Sequence, residues 1–392
     1  MKTHNGGVRL LLMWLAGIDL RLTILAVPPV LPLIHRDLHL GEFGVAAMTN
    51  LPVLTLAGSS VFGSLLVARL GARGALVLGL WVIAIASSLR GLGPSTTMIF
   101  ATTFVMGLGI AFVQPVFPTL SRRWFPSRIS LATSVWSNGL LMGEAIGASL
   151  TLPLVLPLVG GSWEWSFVVW GAVVALTAVA FALFAGDERP SEGVPSGAWF
   201  PNFRDPHVWQ LGVLQSAASL TYFGANTFVP DYLHAGGHAN LIAPCLAALN
   251  LGQLPASLVI GLVPMRHLVR WEPPVLMAGL LALALLVFLR FDGAYAVAAA
   301  ALIGFSVAYV MIFSFALPAL IAPADQVTRV SSGMFTIGYT IAFVASLASG
   351  ALWDVTHASA TAFIPAIIAI AIIAGIGPRL GSAARRALQA TT

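Results

Sequence analysis

Three ionisable side chains, Asp19, Arg21 and Glu144, sit inside long runs of apolar residues. On insertion scales a charge at the bilayer centre costs at least about 2.5–3.5 kcal/mol, so a chain that keeps such groups turns them away from lipid. A guanidinium stays charged and presents a planar fork of donors that fits a carboxylate or similar oxyanion. Arg21 is therefore a candidate anion ligand; the alternative is a structural cation held by Asp19 or Glu144. Asp19 lies two positions from Arg21, and helix neighbours two apart do not share a face. It reads as a structural acid, with proton carriage as the alternative. Glu144 follows Gly143 in the stretch Gly139-Leu-Leu-Met-Gly143-Glu144-Ala-Ile-Gly147-Ala148, whose glycines allow close backbone packing. It is a candidate proton site, or else a fixed counter-ion for Arg21.

Other chemistries find little support. The eight histidines fall in loops or at helix ends, and His35 and His39, four apart, lie in what reads as a short loop rather than one helix. No metal site is expected. No Gly-x-x-x-x-Gly-Lys loop is present, so no nucleotide or other cofactor is expected and ion gradients are the expected energy source. Cys245, the single cysteine, rules out a disulfide within the chain. A membrane-embedded enzyme would need a clustered catalytic set near one membrane face, and two intramembrane acids do not supply it; the chain is not expected to be an enzyme.

Composition says which elements must position these residues. Of 392 residues, 58% are apolar and 8% charged, against roughly 25% charged in soluble domains. Runs such as Phe167 to Leu183 match the length that crosses a bilayer as a helix. A pI near 10 invites a nucleic-acid reading, but the basic residues are scattered through short loops and form no patch, so no nucleic-acid partner is expected. Leu10 to Leu33 is too long for a signal-peptide core and reads as a retained helix. Polar, glycine or proline punctuation then separates twelve expected helices: 9–34, 43–68, 74–91, 95–119, 129–155, 165–185, 207–233, 240–264, 273–290, 293–320, 328–353 and 360–378.

With the N-terminus inside, the inner loops hold fifteen of the nineteen Lys and Arg and the outer ends three, Arg36, Arg90 and Arg290. That bias places both termini in the cytoplasm of a multi-pass inner-membrane protein. Arg90 and Arg290 are expected to snorkel to headgroups, with attraction of external anions as the alternative. The polar stretch 186–206 reads as a cytoplasmic linker between six-helix bundles at 1–185 and 207–392. Residues 50–90 align without gaps on 250–290, with Asn50-Leu51 on Asn250-Leu251 and Leu89-Arg90 on Leu289-Arg290. Two related six-helix halves with a solute site between them are a transporter architecture.

The segment order resembles the major facilitator superfamily. Leu66-Val-Ala-Arg69-Leu-Gly71-Ala-Arg73 is similar to its loop between helices two and three, with Ala68 where an aspartate is usual. Within it the chain is most similar to the cyanate/nitroimidazole transporter family. The segments that carry this are Gly17-Ile-Asp19-Leu-Arg21 with Pro29-Val-Leu-Pro32, Ser88-Leu-Arg90-Gly91, and Pro118-Thr-Leu-Ser-Arg122-Arg123-Trp-Phe125-Pro126-Ser-Arg128. That family carries an arginine at the position of Arg21 and typically an asparagine at that of Asp19. The Glu144 stretch is similar to the glycine-rich antiporter motif of facilitator exporters, with Glu144 in place of its proline.

The resemblance implies an all-α membrane fold of twelve helices in two six-helix bundles. It implies a cavity lined by helices 1, 4, 7 and 10 with 2, 5, 8 and 11. Asn50, Gln114, Asn138, Tyr222, Asn226, Asn250, Gln253, Tyr309 and Tyr339 fall on those helices, as candidates for solute contact or for packing hydrogen bonds. Trp136 is a candidate to stack on a planar solute or to pack. The expected function is secondary transport of a small, anionic solute by alternating access, with protons as a candidate coupling ion. The alternative is a proton-driven exporter of drugs or nitro-compounds. The expected partners are the solute and the bilayer, and the chain is expected to act as a monomer.

Overall fold

A computed structural model describes residues 4–39, 42–92, 95–186 and 199–389, and its regular structure there is helical throughout. Helix α1 (His4–Leu25) breaks at Ala26 and resumes as α2 (Val27–Leu38). Pro28 and Pro29 have no N–H to give to the preceding turn, and they are accommodated at the start of a new helix, where no donor is needed. α2 keeps His35, Arg36 and Asp37 in its last turns, where a loop was expected, and ends at His39 in the left-handed region.

α3 (Glu42–Leu92) runs 51 residues, about 77 Å at 1.5 Å per residue, more than twice the hydrocarbon thickness of a bilayer. It is two passes joined at Gly71, whose φ of 73° and ψ of 169° lie outside helical space and suit glycine. α4 (Thr96–Val113) starts at the Ser95 cap and gives way at Gln114-Pro115 to α5 (Val116–Trp124). α6 (Ile129–Leu150) continues through a π turn at Thr151–Val155 into α7 (Leu156–Leu158), a loosening that accompanies Pro153 and Pro157. α8 (Trp163–Phe184) is capped by Ser162.

The second half repeats this logic with α9 (Pro206–Ala235), the broken pair α10 (Ile242–Leu251) and α11 (Leu254–Leu262), and the short α12 (Met265–Leu268). It continues through α13 (Glu272–Arg290), α14 (Ala294–Ile321), α15 (Val327–Thr356) and α16 (Ile364–Gln389). α16 passes through Pro378 and ends well beyond the expected 378.

Ten stretches among the described residues are long and apolar enough to cross a membrane, one of them the 42-residue Leu51–Leu92 that Gly71 divides. α9, 30 residues long, is diluted by Gln210, Gln215, Asn226 and Asp231 and falls outside that set, yet at about 45 Å it is long enough to span. The two passes of Leu51–Leu92, the other nine stretches and α9 give the twelve spans. Large apolar side chains such as Leu176, Leu183, Leu262 and Leu347 are exposed along them, as lipid contact requires.

The chain divides into two compact units, Met1–Pro126 with Val135–Pro201, and Ser127–Ser134 with Asn202–Thr392. In the first, α3 packs on α4 and α8, and α1 packs on α8. One apolar cluster gathers Val30, Ile34, Ile99, Trp163 and Phe167, another Ile18, Leu22, Val155 and Trp170. Trp163 Nε1 donates to Asp37 Oδ2 at 2.9 Å, tying α2 to the start of α8; that bond, with Arg36, holds the Asp37 carboxyl below the usual range. In the second unit α9 packs on α15, α16 and α14, and α14 packs on α13 and α10. Of the expected linker at 186–206, residues 187–198 lie outside the described residues. Trp199 folds back on the first unit, its carbonyl accepting from Ser64 Oγ at 2.5 Å and its ring stacked near Phe62.

Candidate functional site

The site in the first unit is set by how closely two helices approach. Gly139, Gly143 and Gly147 recur every four residues on α6 and so share one face. A Cβ at these positions would sit 2.3 Å from the Trp14 carbonyl oxygen, 2.2 Å from that of Ile18 and 2.7 Å from that of Leu22. A Cβ at Gly17 on α1 would sit 2.3 Å from the Trp136 oxygen. The two backbones touch, as small residues permit between membrane helices. Arg21 stands one turn beyond Gly17, and Glu144 follows Gly143. The contact therefore delivers Arg21 Nε to 3.6 Å from Glu144 Oε1, with both side chains nearly buried. On the same seam Trp14 Nε1 donates to Asn138 Oδ1 at 2.9 Å.

This geometry gives a direct test. Gly143→Ala forces α1 and α6 apart at Ile18. It is expected to lower stability by about 1–3 kcal/mol, the usual range for overpacking, and to reduce transport through misplacement of the Arg21–Glu144 pair. Thermal unfolding in detergent checks the first effect; an unchanged unfolding temperature would mean the helices are not in contact there.

Asp19 points elsewhere. It is buried at 1% exposure, its carboxyl meets the Thr177 hydroxyl on α8, and its Oδ2 has no hydrogen-bond partner among the described residues. Of the three intramembrane charges, two form a pair and the third faces the opposite side of α1.

Arg90 corrects a sequence expectation. It does not snorkel: it is fully buried, Nη2 donating to the Thr23 carbonyl at 3.0 Å and to Ser87 Oγ at 3.2 Å, with the guanidinium 4.5 Å from the Phe167 ring centre. A carbonyl in the last turn of α1 and an aromatic face hold it inside the unit. Its repeat counterpart Arg290 is exposed at the end of α13. Neither the Thr23 nor the Phe167 contact is legible from the local sequence around Arg90.

The remaining candidates of this unit are Gln114, Trp136 and Asn50. Gln114 is buried at the α4–α5 break. Trp136 is fully buried with one face stacked on Phe117 at 4.8 Å between ring centres, so that face meets protein rather than solute. The Asn50 side chain lies outside the described residues.

In the second unit four candidates, Tyr222, Asn226, Asn250 and Gln253, form one network. Tyr222 OH donates to Asn250 Oδ1 at 3.1 Å, and Asn250 Nδ2 donates to Asn226 Oδ1 at 3.1 Å. Gln253 Nε2 donates to Asn250 Oδ1 at 3.3 Å. Asn250 is central, held by α10 just before the α10–α11 break. The network carries no formal charge. Tyr309 and Tyr339 are buried on α14 and α15, with Tyr339 stacked on Phe335. Among the described residues no group of three or more His, Cys, Asp or Glu is placed to hold a metal.

A chain of twelve helical spans in two units, with a charge pair inside one, invites comparison with known proteins. The sequence profile of the Major Facilitator Superfamily matches residues 10–347. The cyanate transport protein CynX of Escherichia coli K12 is 28% identical over 256 residues, 64% of this chain and 65% of that protein, so the chain spans just under two thirds of that relative. The 2-nitroimidazole transporter of the same organism is 25% identical, covering 82% of each chain. Among solved structures, the human organic anion transporter MFSD10 superposes with a TM-score of 0.75 over 94% of this chain and 99% of that one, at 14% identity. The transporter FucP superposes with a TM-score of 0.73 over 98% and 99%, also at 14% identity. Those likenesses establish the fold, and the profile, spanning most of the twelve helices, establishes the lineage: this chain belongs to the Major Facilitator Superfamily, as a multi-pass membrane transporter of the secondary type.

Proposed function

We propose that the protein carries a small anion across the inner membrane by alternating access, with Arg21 as the anion ligand and Glu144 as the group that couples the anion to a proton. The observation that carries this is the buried Arg21–Glu144 pair at 3.6 Å. When both are charged the pair is neutral and Arg21 is occupied. A proton on Glu144 removes that competition and leaves a guanidinium in low dielectric, where an anion is strongly attracted. Proton and anion binding are then linked, each favouring the other by the same factor. One proton and one monovalent anion move together with no net charge, which suits a site inside a membrane. The relatives named for cyanate and 2-nitroimidazole support a small solute. In the second unit the Tyr222–Asn250–Asn226–Gln253 network offers neutral donors and acceptors.

A second reading keeps Arg21 and Glu144 as a fixed structural pair and gives the proton to Asp19, whose buried Oδ2 favours it. The alternative of a proton-driven exporter draws on relatives named as multidrug-efflux transporters, which match under half of this chain.

A thermal-shift panel of cyanate, nitrate, small carboxylates and 2-nitroimidazole on purified protein tests the solute class. Small oxyanions or cyanate are expected to raise the unfolding temperature, more strongly at lower pH. Stabilisation by 2-nitroimidazole alone, with none from the anions, would overturn the anion reading.

Orientation has its own test. In a Cys245→Ser background, Asn202→Cys and His234→Cys flank the two ends of α9, and both native residues are exposed. An impermeant thiol reagent on intact cells is expected to label position 234 and spare position 202, following the basic-residue bias of the loops. The reverse labelling would invert the topology.

A further inference from the structure

Within the second unit, where α12 meets the last turns of α16, a cleft of about 450 Å³ is lined by Arg266, His267, Arg270 and Arg385 together with Leu388 and Gln389. The three arginines and His267 are exposed. Glu272 lies 2.8 Å from Arg270 Nη2 and neutralises that one arginine, so the positive charge of Arg266 and Arg385 is in excess. A phosphate is the group this chemistry recognises.

The apolar surface leading away from the cleft narrows the choice of ligand. Next in sequence to Arg270, Trp271 is 58% exposed, and tryptophan favours the level of lipid headgroups. Beyond it Leu276, Leu283 and Leu286 form an exposed stripe along α13. Gly279, three residues from Leu276 and four from Leu283, is exposed on the same stripe, with open space where a side chain would be. α13 and α16 meet closely near the cleft: a Cβ at Gly377 would sit 2.6 Å from Pro274 Cβ. The basic cleft thus stands at the start of α13, whose exposed apolar stripe runs on into the membrane span. A free phosphate would use the cleft alone; a phospholipid uses both.

We infer that this place is a binding site for an anionic phospholipid, with its phosphate between Arg266 and Arg385 and an acyl chain along the Leu276–Leu283–Leu286 face of α13. Basic pockets between helix ends at the membrane surface suit such headgroups. The site is separate from the Arg21–Glu144 pair and does not depend on which solute is carried.

The test uses the purified full-length protein in detergent. Native mass spectrometry and thermal unfolding are followed while phosphatidylglycerol, phosphatidylethanolamine or inorganic phosphate is added. Phosphatidylglycerol is expected to bind and stabilise at least tenfold more effectively than phosphatidylethanolamine. The double change Arg266→Gln with Arg385→Gln, on exposed positions, is expected to remove that preference while leaving the unliganded unfolding temperature unchanged. Gly279→Leu, which fills the gap in the α13 stripe, is expected to weaken binding of phosphatidylglycerol. Equal binding of both lipids, or an undiminished preference in the double variant, would overturn the proposal. So would phosphate protection equal to that of the lipid and insensitive to Gly279→Leu, which would mark a soluble-phosphate site instead. A double variant that unfolds is replaced by Arg385→Gln alone, for which an undiminished preference again overturns the proposal.

Discussion

Arg21→Lys is expected to cut anion transport about 10- to 100-fold while the protein folds normally. Lysine keeps a positive charge opposite Glu144, so the ion pair survives in modified form. It loses the planar fork that grips an oxyanion with parallel donors. A hydrogen bond to a charged group contributes about 1.5–3 kcal/mol, and each 1.4 kcal/mol is a factor of ten in affinity. Arg21→Ala goes further: it removes the cation that faces the nearly buried Glu144 carboxylate. Breaking one side of a buried pair costs about 3–5 kcal/mol, so this variant is expected to unfold at markedly lower temperature as well as fail to transport. The contrast between the two variants is informative. Wild-type anion affinity in Arg21→Lys would reduce Arg21 to a structural cation.

Glu144→Gln is expected to uncouple rather than inactivate. Glutamine keeps the size and the hydrogen-bonding capacity at the Gly143 contact but cannot take up a proton. The anion then no longer competes with the Glu144 carboxylate for Arg21. Anion binding is expected to become tighter at neutral pH and to lose its pH dependence, whereas wild-type affinity is expected to rise as pH falls. Counterflow exchange should persist while accumulation driven by a pH gradient disappears. Retained gradient-driven accumulation would move the proton to Asp19 or remove it from the mechanism, and Asp19→Asn then separates those two. Loss of folding in Glu144→Gln would favour the fixed-pair reading, because the guanidinium would lose its counter-charge in the membrane.

What the sequence makes legible here is local. The spacing of Gly139, Gly143 and Gly147 places three glycines on one face, and a close helix contact follows from that alone. The two-residue offset of Asp19 and Arg21 puts them on different faces, and the structure turns one to Thr177 and the other to Glu144. Apolar runs and their punctuation give the spans, although prolines shift the ends: Pro28 and Pro29 break the first helix and let α2 absorb an expected loop, while α16 tolerates Pro378.

The rest depends on contacts between distant residues. Arg90 stands at the end of an apolar run, where snorkelling costs least, and nothing nearby announces the Thr23 carbonyl or the Phe167 ring that keep it inside. Tyr222, Asn226 and Asn250 are individually visible as polar residues in apolar surroundings. Their union with Gln253 around Asn250 needs the α9–α10 packing. Trp136 is an apparent stacking platform until Phe117 is found on its face.

The most direct measurement is uptake into proteoliposomes of the labelled anion that stabilises the purified protein most, with and without an inward proton gradient. The wild type is predicted to accumulate the anion only with the gradient, Arg21→Lys to take up little in either case, and Glu144→Gln to exchange but not accumulate. Gradient-driven accumulation of the anion by all three proteins at the same rate would contradict the account.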